Sequence, residues 1–355
     1  MFDKFMNNYY FGKSGKGDFT PDDMPETRWQ LFLETLRTRF SQLIRLNLIY
    51  LLIWLPTILV VAFSMSGALN VLASIQDETA VVETASTEAA EAVSSEATET
   101  VVATTDDGTE VVTTTTYTLD EGVDLLRSIL FWMLVFLFPC IAITGPFTSG
   151  VSYVTRNWSR DEHAFIWSDF KDAMKANWKQ SLPVSVITGL MPLVMYLGWT
   201  FYGEMAATTP LMVVPQVLIL MIAMMWSLSV TYMHPMLITY ELSFKDLLRN
   251  SILLSVARLP MSVGIRLLHC VPVLLLVGVS YLIGYLQWGL MLLFLYYMLI
   301  GFSLSRFVTA SYTNGVFDRY INPKIEGAKI NQGLREQDDD DDDDKDEDEE
   351  DKEAE

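Results

Sequence analysis

Apolar residues in this chain gather into runs long enough to cross a bilayer, and the polar stretches between them carry nearly all of the basic residues. A helix rises about 1.5 Å per residue, so about 20 apolar residues cross a hydrocarbon core about 30 Å thick. Four runs fit directly, at 46–65, 128–146, 183–202 and 211–232. A fifth, Leu267–Ser305, holds 39 residues without a charge. As one helix it would be about 58 Å long, so it reads as a hairpin of two spans, 267–285 and 287–305. Gly284, Gln287 and Gly289 mark the turn, with Tyr285 and Trp288 as interfacial anchors. The pattern predicts an all-α polytopic membrane helix bundle with about six transmembrane helices.

Three polar stretches have their own helical period. In the N-terminal segment 1–45, Trp29, Leu33, Leu36, Phe40, Leu43 and Ile44 fall on one face, which predicts an interfacial helix leading into the first span. The connections at 161–180 and 241–259 read as amphipathic helices; the first sets Phe170, Met174 and Trp178 on one face, away from Lys171, Lys175 and Lys179. The first span starts at Leu46, too late for a cleaved secretory signal.

Charge then orients the bundle. The net charge of −20 comes from two segments. Asp77–Asp124 has 13 acids and no Lys or Arg, and Asp338–Glu355 has 15 acids and 2 Lys. The rest is mildly basic, with 22 bases against 16 acids. The Thr/Glu/Ala/Val-rich loop at 77–124 is too poor in apolar bulk and too like-charged to collapse, so it reads as disordered, with a weak hairpin as the alternative. The tail 306–355 reads as disordered from 338. Basic residues cluster before the first span, at Arg156–Lys179, at Lys245–Arg266 and after Arg306, all on one side of a six-span topology. By the positive-inside rule both termini are cytoplasmic and the 77–124 loop is outside.

Chemistry-bearing motifs are sparse. Cys140 and Cys270 sit in or beside apolar runs and read as small buried residues. Gly12-Lys13-Ser14 lacks the earlier glycine and strand of a phosphate loop. His163, His234 and His269 are scattered, and His234-Pro235 reads as a hydrogen-bonded helix terminus. No metal, cofactor or catalytic set is expected, which argues against an enzyme, and nothing points to nucleic acid. No carboxylate lies mid-span, which argues against a proton or sodium relay. Asn47, early in the first span, is the clearest intramembrane polar residue and reads as an interhelical hydrogen-bonding group.

Two connections resemble each other. Phe170-Lys171-Asp172 is followed by Leu182-Pro183-Val184-Ser185-Val186, and Phe244-Lys245-Asp246 by Leu259-Pro260-Met261-Ser262-Val263. This reads either as a parallel internal repeat of span, amphipathic helix, Leu-Pro and span, or as two helix-entry signals of one kind.

Three stretches carry a family resemblance: Leu46–Tyr50 running to Leu55-Pro56; Gly145 to Ser181; and Tyr232 to Pro260. They resemble the YesL-like family of bacterial membrane proteins, also called the domain of unknown function 624 family. The resemblance covers most of residues 29–320, while the acidic loop and tail depart from it. It implies a bacterial plasma-membrane protein with no established activity, near carbohydrate uptake. The expected function is that of an accessory factor touching the lipid bilayer and sugar ABC transporter components through its two amphipathic helices. Phe170, Met174 and Trp178 are the candidate docking residues on the first helix, and Glu241, Phe244, Asp246, Leu248 and Pro260 those on or beside the second. The alternative is an ABC-permease-like subunit docking a cytoplasmic ATPase. Glu241, Asp246, Leu259 and Pro260 have the right spacing for that, but Leu247 stands where such loops have glycine.

Overall fold

A computed structural model describes residues 24–85 and 117–335 of the chain, with side chains from 76 to 85 not described. The expected acidic tail, most of the acidic loop with its hairpin alternative, and the first 23 residues lie outside the described residues. Every element among the described residues is helical. In chain order they are α1 (Arg28–Thr38), α2 (Phe40–Ala85), α3 (Leu119–Trp158), α4 (Ser168–Ala206), α5 (Val213–Thr239), α6 (Phe244–Ala257), α7 (Leu259–Val273), α8 (Val279–Ile283), α9 (Leu286–Tyr296) and α10 (Phe302–Tyr320). Wide π-helical turns, Leu274–Gly278 and Tyr297–Gly301, join α7 to α8 and α9 to α10. Among the described residues, six helices are long and apolar enough to cross a membrane. The chain is a multi-pass membrane protein.

The packed core does not lie in the apolar windows. None of the α3 window is buried, and the α5 window is almost as open, as expected for surfaces that face acyl chains. Both buried clusters lie toward the end of the bundle that carries the basic residues. One joins Leu43, Leu46 and Tyr50 of α2 to Val151, Val154 and Trp158 of α3, with Phe170 and Phe307. The other joins Tyr232, Met233, Met236 and Leu237 of α5 to Leu247 and Leu254 of α6, with Val316 and Phe317 of α10. The spans therefore project from a tightly packed helical base, called here the basic end.

Small residues let the helices of that base approach. A Cβ at Gly145 would collide with the Ser181 carbonyl oxygen and the Ser185 hydroxyl, and one at Gly150 would meet the Phe170 ring at 2.6 Å. Glycine is required there by proximity rather than by dihedral angle, as at close helix crossings in membranes. Gly284 is different. It takes φ 84°, the left-handed cap that reverses the chain between α8 and α9.

Several expectations are corrected. Residues 161–180 do not form a separate amphipathic helix. A turn ends near Trp167, and α4 runs unbroken from Ser168 through Leu182-Pro183 into the third span. The second copy of the repeat does break, at Arg258 (φ −118°, ψ 35°), and Pro260 opens α7. The reason is packing. Along its length α4 lies against α3, with Ser181, Ser185 and Gly189 at the contact, and so stays unbroken. In contrast α6 folds back on α5 through Leu247, Ser251, Leu254 and Ser255, so a bend must precede the next span. The N-terminal interfacial helix is split at Arg39 into α1 and the start of α2. The helix of the first span continues to Ala85, past the expected start of the loop. Gly289 is a packing residue within α9 rather than part of the turn, since a Cβ there would collide with Leu276 and Ser280. Cys140 is half-buried and Cys270 exposed on the outside of the bundle, both as free thiols.

Candidate functional site

Two polar features organise the basic end: a buried hydrogen-bond network and a large cleft beside it. The network centres on Asp318 of α10. Its carboxylate accepts from Arg28 Nη2 of α1 at 2.5 Å, from the Asn331 backbone N–H at 3.2 Å, and from the Asn322 amide. Asn322 in turn accepts from the Tyr240 hydroxyl at 2.6 Å. A buried carboxylate is tolerable only when paired and fully hydrogen-bonded, and Asp318 meets both conditions. Burial, and then the nearby Asp318 charge, push the Tyr240 phenol above its ordinary range.

The segment after α10 forms a strap across this end. Arg160 Nη2 donates to Gln332 Oε1 at 2.8 Å, and the Arg335 N–H donates to the Pro25 carbonyl at 3.0 Å. Gly333 makes the approach possible, with φ 84° and its Cα so near Arg160 that a Cβ would meet that carbonyl at 2.9 Å. Near the end of α3, Arg156 and, in the turn just beyond it, Arg160 share Glu162 at 3.9 and 3.4 Å.

The cleft has a volume of about 1060 Å³ and lies between α1, α7 and α10. One part of its lining is mainly apolar, from Leu36, Ile265, Leu268, Val271, Leu304 and Val308, with His269 and Ser305 among them. Another part of its lining, the mouth, is polar, at Arg258, Arg319, Tyr320 and Asn331, with the buried Asp318 behind them. Trp29 forms one lip and stacks on Phe32, which stacks on Phe307. Both Arg258 and Arg319 lie over the Tyr320 ring, at 5.5 and 5.8 Å, and Arg258 Nη1 also donates to the Tyr320 hydroxyl at 2.9 Å.

The sequence-derived candidates fall elsewhere and are not brought together. Phe170 is buried in the α2–α3 core; Met174 is half-buried and Trp178 exposed. Phe244 and Leu248 are half-buried against the α5 cluster. Glu241, Asp246 and Pro260 are exposed, and Asp246 spends its carboxylate on the Ser243 hydroxyl at the start of α6. Asn47 is fully buried and bonds to the π-helical turn before α10. His234 lies within α5 rather than at its terminus, buried, with Nδ1 unpartnered among the described residues. Among the described residues no group of three His, Cys, Asp or Glu side chains could hold a metal.

The sequence reading missed Asp318, Asn322, Asn331 and the Arg258–Tyr320–Arg319 stack. One signal was present: Asp318 stands within a helical run whose neighbours, Val316 and Phe317, are apolar. Its partner Arg28 is 290 residues away, which no local pattern reveals.

The helices that pack most intimately, α3 and α4, also carry the family signal. Residues 125–199 match the family model described as DUF624, proteins of unknown function. The match covers most of α3 and α4 and the turn between them. No curated protein and no solved structure matches the chain.

Proposed function

We propose that this protein is a non-enzymatic accessory factor of a bacterial plasma membrane, with its basic end and both termini in the cytoplasm, acting by contact on components of carbohydrate uptake. The observation that carries the reading is α6. A connection between two spans needs only a few residues. Here 14 residues form a separate helix folded back on α5, and the outer face of its second half is apolar, with Leu253 63% exposed and Val256 52% exposed, while Lys245, Asp246 and Arg249 are exposed on its first half. Helix-in-groove recognition uses such faces. The resemblance to the YesL-like family supplies the carbohydrate context. The contact surface is narrower than the sequence suggested, since α4 uses Phe170 internally and leaves α6 as the main docking element.

The permease-like reading needs a tight turn at position 247. That position is inside α6 and Leu247 is buried, so the reading loses its main geometric requirement.

The test is in-cell photocrosslinking from Leu253 and Val256. Adducts to a sugar-transporter permease, abolished by Leu253→Asp, support the proposal. Adducts to lipid alone from both positions overturn it, and adducts to an ATPase alone would favour the permease-like reading.

A further inference from the structure

We propose that the cleft between α1, α7 and α10 is a binding site for an anionic membrane phospholipid. The acyl chain lies along α7 and α10, and the phosphate sits at Arg258 and Arg319. This goes beyond the contact function and does not rest on it.

Dimensions support the assignment. From the end of the π turn along α10 the cleft is lined from Gly301 to Tyr320, with apolar Leu304 and Val308 on either side of Ser305 in its first part. Gly301 to Ser311 is ten residues, about 15 Å of helix, which equals half of a 30 Å hydrocarbon core. This mainly apolar section, interrupted by Ser305 and His269, is therefore about as long as one leaflet's acyl chain. From Ser311 to Arg319 the lining becomes polar and basic over about 12 Å more, the zone a headgroup occupies. The volume of about 1060 Å³ also suits a large amphiphile, at the upper end of ligand pockets.

Charge selects the headgroup. Three arginines reach the mouth, but their states differ. Arg28 is neutralised by Asp318, whose carboxylate already accepts from three donors and so presents little free negative charge. Arg258 and Arg319 have no carboxylate partner among the described residues; both lie over Tyr320, a quadrupole rather than a counter-ion. Two polar atoms in the same lining are buried without hydrogen-bond partners among the described residues: Arg258 Nε and Ser311 Oγ. Such groups cost stability unless something bonds to them. A phosphate offers several acceptor oxygens and suits planar guanidinium donors. The occupant is a bilayer lipid rather than free phosphate, because the charged mouth continues into an apolar groove within helices that cross the membrane. Trp29 at the lip fits an aromatic at headgroup level.

The test uses the full chain purified in detergent and offered phosphatidylglycerol or phosphatidylcholine with identical chains, with retained lipid counted by native mass spectrometry. Phosphatidylglycerol should be retained preferentially, by about fivefold for each arginine engaged. Arg319→Gln, at an exposed position, should cut the preference without changing the melting temperature. Arg258→Gln should cut it further, and Val308→Trp should lower retention of both lipids. Equal retention of the two lipids by the unaltered protein overturns the proposal, as does a preference that survives Arg258→Gln/Arg319→Gln. Inorganic phosphate serves as a second probe. If it alone raises the melting temperature as much as the lipid does, the site takes free anions and the lipid assignment is wrong.

Discussion

Asn47 of α2 holds Ser303 of α10 through its side chain, accepting the Ser303 backbone N–H on Oδ1 at 2.9 Å. Its amide donates to the carbonyls of Tyr297 and Met298, both at 2.9 Å, and the Ser303 hydroxyl returns a bond to the Leu43 carbonyl at 2.9 Å. These groups belong to, or border, the π-helical turn Tyr297–Gly301, where the wide turn alters the regular i→i−4 ladder. A freed backbone group in a membrane protein must find another partner. Asn47 is that partner, so one side chain fixes the register of α2 against the last span.

Replacing it tests this. Asn47→Leu keeps the volume but leaves one N–H and two carbonyls without their side-chain partner. The expected loss is about 1–3 kcal/mol, seen as a lower melting temperature in detergent. Asn47→Asp keeps the acceptor for Ser303 and loses both donors, so it should be no better. If Asn47→Leu melts with the unaltered protein, the π turn does not depend on Asn47.

The Asp318 network gives a second test. Asp318→Asn removes the charge that Arg28 faces and weakens the tie between α1, α10 and the strap. Arg28 is partly exposed, so the loss should fall below that for a fully buried pair, at about 1–3 kcal/mol. The double variant Arg28→Gln/Asp318→Asn should recover part of it. Tyr240 adds a pH dependence. Its folded-state pKa is raised, so its contribution is fully present below the unfolded value near pH 10 and declines as pH rises above it. Tyr240→Phe should flatten that part of the stability profile. An unchanged profile would mean that Tyr240 is accessible enough to ionise in place.

How much of this was legible follows from where the information sits. The spans were readable, because crossing a bilayer demands a local run of apolar residues. The core was not, because it lies where small polar residues mix with apolar ones. Thr148, Ser149 and Thr155 are buried on α3 with their hydroxyls bonded to carbonyls three or four residues back, so a pattern that scores them as polar places them outside. Asn47 was visible as an embedded polar residue, but its partners lie 250 residues on. The α4 helix was misread for a related reason. Leu182-Pro183 is a local helix-entry signal, and the continuous contact with α3 overrides it. The cleft was invisible for the same reason as the network: its walls come from three helices far apart in sequence.

Close packing of α3 on α4 yields a third prediction. Gly145→Ala places a methyl against the Ser181 carbonyl and the Ser185 hydroxyl, and backbone cannot give way as a flexible side chain can. Overpacking of this kind costs about 1–3 kcal/mol. Gly264→Ala in α7 is the control, since nothing lies within 4 Å of the added Cβ. It should be neutral or raise stability by about 0.5–1 kcal/mol through the better helix propensity of alanine. Equal melting of the two variants would show that the α3–α4 contact tolerates separation.

The last prediction concerns orientation, on which the contact proposal depends. Ser168 opens α4 at the basic end, and Thr208 lies in the short turn between α4 and α5 at the opposite end; both are exposed. The intervening helix is 39 residues, about 58 Å, so the two positions stand on opposite sides of any bilayer it crosses. By the positive-inside rule the proposed orientation has Ser168 in the cytoplasm, because Arg156, Arg160, Lys171, Lys175 and Lys179 flank it in sequence, while residues 186–244 contain no Lys or Arg. In a background lacking Cys140 and Cys270, Thr208→Cys in intact cells should react with a membrane-impermeant maleimide. Ser168→Cys should react only after the membrane is opened. The reverse pattern would invert the bundle and put α6 outside the cell, where no cytoplasmic component could reach it. Labelling of both positions in intact cells would remove α4 from the set of membrane-crossing helices.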